Sequence, residues 1–256
     1  MAIAVFGDIH GNLEALEAIL TDIKRKRRKY KIEQIFFLGD AITFGPNSNE
    51  CIKLLEKNKV KCIVGNHEQR MVQYGKNISA MAYAGTKHLE YVFNSLDDDS
   101  ISFIKTMSSE ITIDYKGKNI LFTHFGHDND GAVKPEFKVF SESKLDKILG
   151  RTNFDVVFFG HVHIRKIIIN ESGKSYCCLG SSGCVKGDQT FYTYFDVNTH
   201  MAQNYDIYRI DVAFNRKRFE EKMINEPIPD KIQFAKSCFG MNLASEAPQS
   251  TTAKTE

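Results

Sequence analysis

The chain lacks the features that would carry it into or across a membrane. No uninterrupted apolar run approaches the ~20 residues a spanning helix needs. The opening "MAIAVFGDIHGN" has no basic stretch ahead of a long apolar one, so no secretory signal is expected and the cytoplasm is the expected compartment. Charge of one sign is not in excess either: 34 Lys+Arg against 32 Asp+Glu leave a formal +2. That balance gives no global argument for nucleic-acid binding. No CxxC spacing occurs among the six cysteines, at 51, 62, 177, 178, 184 and 238. Without an export signal they read as reduced, mostly buried thiols. Internal repeats are absent. With 256 residues, 42% of them hydrophobic, the chain has room for one compact domain with appendages.

What is present alternates strand and helix. "AIAVFG" (2–7) predicts a short buried strand, and "NLEALEAILTDIKRK" (12–26) a helix with Leu13, Leu16, Ile19, Leu20 and Ile23 on one face. "QIFFLG" (34–39), "SNECIKLLEKN" (48–58) and "KCIVG" (61–65) continue as strand, helix and strand. Strands separated by helices of this length imply parallel βαβ units. A helical middle (roughly 78–107) precedes a hairpin over 110–124, turning near Lys116-Gly117, and a helix is expected near 141–150. "FDVVFFG", "RKIIIN", "KSYCCLG", "TFYTYFDV" and 203–212 read as strands, and 215–223 as a helix. Two packed sheets with helices outside are expected. The run "KRKRRKYK" (24–31) reads as the solvated carboxyl end of the first helix, where cations suit the dipole; an acidic-partner patch is the alternative.

The chemistry gathers at strand ends. The first strand runs into Asp8 and His10, the second into Asp40, the third into Asn66 and His67. Later strands run into His124 and into "GHVH", with His161 and His163. If that last pair is extended, residues i and i+2 lean the same way and Val162 points into apolar packing. Ligand sites of open α/β sheets gather at carboxyl ends of parallel strands. Singly, Asp8, Asn12 or Asn66 would serve as a helix N-cap. Five coincidences on successive strands are harder to explain by capping. Asp8, Asp40 and Asn66 with His10, His124, His161 and His163 form a mixed oxygen and nitrogen set. It suits manganese first, with iron, zinc or nickel as alternatives, better than calcium. Seven ligands exceed one ion's needs; two divalent ions sharing a carboxylate would use all of them.

D-x-H, G-D-x-x-x-x-G, G-N-H-E, a later H and G-H-x-H, in this order from Asp8 to His163, resemble the calcineurin-like metallophosphoesterase superfamily. "LGDAITFGPNSNECIKLL" is similar to its compact bacterial and archaeal branch. "CLGSSGCVKGD" resembles that branch's N-P-G-S-x-G segment, with Leu179 for the proline. The resemblance implies a single-domain α/β/β/α sandwich over residues 1–228. A C-terminal extension, 229–256, would be disordered from about Asn242. By position it implies one ion on Asp8, His10 and His163, a second on Asn66, His124 and His161, and Asp40 bridging. Magnesium also enters as a candidate metal. His67 would be the general acid beside a metal-bridging hydroxide that attacks phosphorus in line.

Departures bear on substrate. Phosphoprotein phosphatases of the superfamily carry G-D-x-V-D-R-G, but Thr43 and Phe44 occupy the D-R positions here. Arg70 would compensate, or lie exposed on a helix; His127 would contact substrate, or lie in a surface loop. A small phosphorylated substrate is therefore expected: a phosphodiester, a phosphomonoester or a dinucleoside polyphosphate. A broad-specificity phosphoprotein phosphatase is the alternative, and a non-catalytic scaffold a lesser one, since every ligand and His67 are retained.

Overall fold

A computed structural model describes residues 2–75, 86–126, 153–198 and 204–243, with Leu145 and Leu149 between. The order is β1 (Ala2–Phe6), α1 (Leu13–Tyr30), β2 (Ile32–Phe37), α2 (Ser48–Lys57), β3 (Lys61–Cys62), α3 (Asn66–Tyr74), α4 (Thr86–Ser95) and α5 (Asp98–Thr106). There follow β4 (Glu110–Tyr115), β5 (Lys118–Thr123), β6 (Val156–Phe159), β7 (Lys166–Ile169), β8 (Ser175–Cys178), β9 (Gln189–Val197) and β10 (Tyr205–Ala213). Two helices, α6 (Arg216–Asn225) and α7 (Lys231–Phe239), close the described chain. The helix expected near 141–150, apart from Leu145 and Leu149, lies outside the described residues, as do His127 and the tail beyond 243.

The strands form two five-stranded sheets, ordered β10-β9-β1-β2-β3 and β4-β5-β6-β8-β7. The β1, β2 and β3 strands are parallel, as the βαβ spacing requires, and β9 and β10 add antiparallel. In the second sheet β5, β6 and β8 are parallel, with β4 and β7 antiparallel at the edges. The expected α/β sandwich in a single domain is what the chain adopts.

Period-two alternation assigns each strand's two faces. On β1, Ala2, Ala4 and Phe6 pack under Leu16, Ile19, Leu20 and Ile23 of α1. Ile3 and Val5 face the other way, into a core with Phe36, Phe122, Val156, Phe158 and Phe195. There Phe36 stacks on Phe122 with ring centroids 3.9 Å apart, and Phe122 on Phe158 at 5.5 Å. Val157 and Phe159 of β6 turn to a third core with Leu145 and Leu149. Because both faces of β1 and β6 are apolar, these strands are buried and their ends are fixed in position.

The helix α1 starts where the Asn12 side chain accepts the Ala15 N–H, and it ends in a left-handed Lys31. Three cations of its basic run bond within the chain, while Lys24, Arg28, Lys29 and Lys31 lie exposed. Arg25 and Lys26 pair with Asp22, and Arg27 donates to the Ile32 and Glu33 carbonyls. The stretch after 228, set apart by sequence as an extension, contains α7, where no element was expected. Its Ala235 and Phe239 share a core with Phe219 and Met223 of α6 and with Ala15. This places α7 beside the carboxyl ends of the strands.

Candidate metal centre

All seven predicted ligands and His67 converge where β1, β2, β3, β5 and β6 end. Asp8 is fully buried. Its Oδ1 accepts the His161 N–H at 3.0 Å and lies 3.3 Å from His163 Nε2, while Oδ2 has no hydrogen-bond partner. A buried carboxylate oxygen left bare is costly and needs a cation or donor. A Cβ on Gly160 would overlap that same oxygen, so only glycine permits the approach of β6's end. The Nε2 atoms of His10 and His163 lie 3.0 Å apart. Two ring nitrogens in contact need a proton or a cation between them.

Asn66 opens α3 but caps nothing with its side chain; Gly65 stands at the N-cap. Its Oδ1 lies 3.0 Å from His124 Nε2 and 2.8 Å from His161 Nδ1. His124 Nδ1 is 2.6 Å from the Leu38 carbonyl, which fixes the proton there and leaves Nε2 free to ligate. Asp40 lies between the two groups. Its Oδ2 is 3.2 Å from His124 Nε2 and 3.9 Å from His10 Nε2. It is also 3.9 Å from His67 Nε2. His10, Asp40 and His67, and likewise Asp40, His124 and His161, bring ligand atoms within 4.8 Å of one another.

The electrostatics favour cations here. Burial pushes the His161 and His67 imidazoles down to about 4, and drives His10 well below its ordinary value. These rings are neutral near pH 7 and offer lone pairs, the form a metal binds. Burial also opposes charge on His124, but the adjacent Asp40 carboxylate outweighs it and lifts the ring to about 9. The position beside Asp40 therefore attracts positive charge. The donor set, the bare Asp8 oxygen and the paired ring nitrogens all fit divalent ions.

One expectation about geometry is corrected. His161 and His163 are not extended: β6 ends at Phe159, and both are left-handed, with φ of 68° and 60°. Val162 between them does pack in the apolar core. The correction extends to the whole rim. Among the described residues, twelve non-glycine residues have positive φ; Asp8, His10, Asp40, Thr43, Phe44, His161 and His163 are seven of them. Such backbone is disfavoured and persists where surrounding structure over-determines it.

Glu68 does part of that work, and sequence reasoning missed it. Fully buried, it accepts four backbone N–H groups: Asp40 and Gly65 on Oε2 at 2.9 Å each, Ala41 and Ile42 on Oε1 at 2.8 and 3.1 Å. The signal was the acid of G-N-H-E, three residues past a glycine, which is a capping-box spacing. Thr43 is the second omission: its Oγ1 sits 3.0 Å from His67 Nδ1, leaving Nε2 toward Asp40. The charge of Arg70, half-buried on α3, reaches His67 and helps hold that ring neutral. Phe44, at the position of the missing arginine, packs its ring on His10 and on Phe234 of α7, at 4.5 and 4.8 Å. A cavity of about 840 Å³ beside Lys118, Asp155 and Lys174 lies at the opposite end of the second sheet, remote from these groups.

The calcineurin-like phosphoesterase profile matches residues 1–165. The chain belongs to that family and is a phosphoesterase, a hydrolase acting on phosphate esters. The family is metal-dependent, in keeping with the histidine and aspartate clusters above. The chain is 28% identical over 250 residues to the uncharacterized protein MJ0912 of Methanocaldococcus jannaschii, covering 89% of this chain and 94% of that one. It is 29% identical over 141 residues to the asymmetrical bis(5'-nucleosyl)-tetraphosphatase PrpE of Oceanobacillus iheyensis, spanning 49% of this chain and 56% of that protein. Among solved structures, the hypothetical protein PH1004 of Pyrococcus horikoshii superposes with a TM-score of 0.76 at 19% identity, covering 94% of this chain and 99% of that one.

Proposed function

We propose that Asp8, His10 and His163 hold one divalent ion, that Asn66, His124 and His161 hold a second, and that Asp40 bridges them. The observation that carries this reading is the position of Asp40 Oδ2, which faces His124 on one side and His10 on the other. Ions so held supply an activated water and neutralise the phosphoryl oxygens. The protein's own groups do the rest. His67 has its Nδ1 against Thr43 Oγ1 and its main-chain N–H on Asp40 Oδ1 at 3.0 Å. It would take up a proton when a bound phosphate's negative charge offsets the burial that otherwise keeps the ring neutral, and then present Nε2 as the general acid for the leaving oxygen. Glu68 holds the 40–42 backbone so that the Asp40 carboxylate stays between the two groups.

The substrate is a small phosphodiester, phosphomonoester or dinucleoside polyphosphate rather than a phosphoprotein. Phe44, packed on His10, stands where phosphoprotein phosphatases have their phosphate-binding arginine, and the similarity to a bis(5'-nucleosyl)-tetraphosphatase favours the dinucleoside polyphosphate. Manganese is the first metal to supply. Free cysteines, four of the six buried, fit a reducing cytoplasm. Protein stripped of metal and reloaded with Mn²⁺ is expected to cleave bis-p-nitrophenyl phosphate and, in a panel of cyclic nucleotides, dinucleoside polyphosphates and phosphopeptides, to prefer the dinucleoside polyphosphate. Preference for phosphopeptides would overturn the substrate assignment.

A further inference from the structure

One sulfur stands among the nitrogens of the first proposed ion. Cys184 Sγ and ring nitrogens of His10 and His163 all lie within 4.8 Å of one another. The two histidine nitrogens are themselves 3.0 Å apart, the separation of two ligands on one small cation with bonds of about 2.0–2.1 Å. The sulfur does not sit on a loose loop. Ser181 Oγ accepts the Cys184 N–H at 2.8 Å and donates to the Asp8 carbonyl at 2.7 Å. The Gly183 N–H donates to that same carbonyl at 3.0 Å, and Asn12 Nδ2 donates to the Gly183 carbonyl at 2.9 Å. A Cβ on Gly183 would collide with the Ile9 backbone, so the loop lies directly on the segment that carries Asp8 and His10. Cys184 is thus tied to the backbone of Asp8, one proposed ligand, and its loop packs on Ile9, the neighbour of His10.

We propose that Cys184 is a further ligand of the ion held by Asp8, His10 and His163, and that this position takes a zinc-like, thiolate-accepting cation. The inference rests on the two-ion reading above. On binding, the thiol releases its proton to solvent and the sulfur coordinates as thiolate. Cys238 of α7 lies beside Cys184, close enough for their thiols to interact. With the metal bound, Cys238 keeps its proton and donates S–H to the thiolate from outside the ligand shell. The two ions are then chemically unequal. One has nitrogen, oxygen and sulfur donors; the other, on Asn66, His124 and His161, has nitrogen and oxygen alone. Sulfur selects softer ions, whereas an all-N/O set accepts manganese.

The full-length chain, stripped and titrated with Co²⁺, tests this by absorption. Visible d–d bands report cobalt bound at either position, and a near-ultraviolet thiolate-to-cobalt charge-transfer band reports sulfur on the metal. The expected result is both kinds of band in the parent protein. Cys184→Ser should lose the charge-transfer band and keep the d–d bands, while Cys238→Ser keeps both. The zinc-over-manganese preference of Cys184→Ser should fall by at least about tenfold, the lower end of what losing even an outer partner costs. X-ray absorption of the zinc-loaded parent needs no variant, and should show a sulfur scatterer at about 2.3 Å. Visible bands with neither charge-transfer band nor sulfur scatterer would overturn the proposal and leave the two-ion reading intact. A charge-transfer band persisting in Cys184→Ser would overturn it too. Failure to bind cobalt at all would overturn both.

Discussion

The two halves of the proposed metal centre are built differently. In one, Asp8, His10 and His163 all sit on left-handed backbone, and the His163 side chain is 30% exposed. In the other, Asn66 starts a helix and His124 is completely enclosed, its second nitrogen fixed on the Leu38 carbonyl. The first half depends on turns held in shape by their neighbours, and it is open to solvent at one ligand. The second half has one left-handed member, His161, and otherwise depends on a helix end and a buried ring, so two of its three proposed ligands are also structural parts. The same chemistry is thus held by local backbone geometry throughout the first half and mainly by the core in the second.

The largest expected effect removes the comparison altogether. Asp40→Ala should lose both ions, by metal analysis, and drop hydrolysis of bis-p-nitrophenyl phosphate to background; retained activity would break the bridging role. Next, His163→Ala and His124→Ala should each leave one ion per chain, but only His124→Ala should also lower the stability of the metal-free protein. Stranding the buried Leu38 carbonyl costs about 1–3 kcal/mol, read as a shift in the urea midpoint. Equal stability of the two variants would erase the distinction between the halves. His67→Ala, which removes a ring beside Asp40 and His10 that belongs to neither proposed ligand trio, should keep two ions and slow turnover by about 10²–10⁴-fold. The loss should be greatest for poor leaving groups. If metal is lost instead, His67 is a ligand. Smallest, Glu68→Gln replaces two acceptor sites with an N–H₂ that faces backbone donors. It should weaken metal binding by roughly 10–100-fold and affect both ions through Asp40.

Much of this was legible in the sequence because apolar strands ending in Asp, Asn or His are visible without coordinates. The order of strands and helices pointed to parallel βαβ units and two packed sheets, and the order of motifs carried the family resemblance from which the proposed grouping of ligands comes. What escaped has a common cause. Hydrophobic periodicity reports which side of an element is buried, not the sign of φ beyond its end. His161 and His163 were therefore read as extended when both are left-handed. Glu68 showed only its capping-box spacing from Gly65, since accepting three more N–H groups from the 40–42 loop leaves no sequence pattern. Cys184 lay among glycines and serines with no partner cysteine at metal spacing; its histidine neighbours come from residues 10 and 163. The helix α7 was missed because "KIQFAKSCF" is short and only weakly amphipathic.

The strand ends that supply the proposed ligands belong to different sheets. Asp8, His10, Asp40 and Asn66 follow strands of the first sheet; His124, His161 and His163 follow strands of the second. Each proposed ion therefore takes ligands from both sides of the seam that the Phe36, Phe122 and Phe158 rings fill. Occupancy then works as a clasp between the sheets, and ligand binding becomes folding free energy. An ion at a hundred times its dissociation constant adds about 2.7 kcal/mol. Metal supply would thus govern how long the protein lasts as well as how fast it turns over.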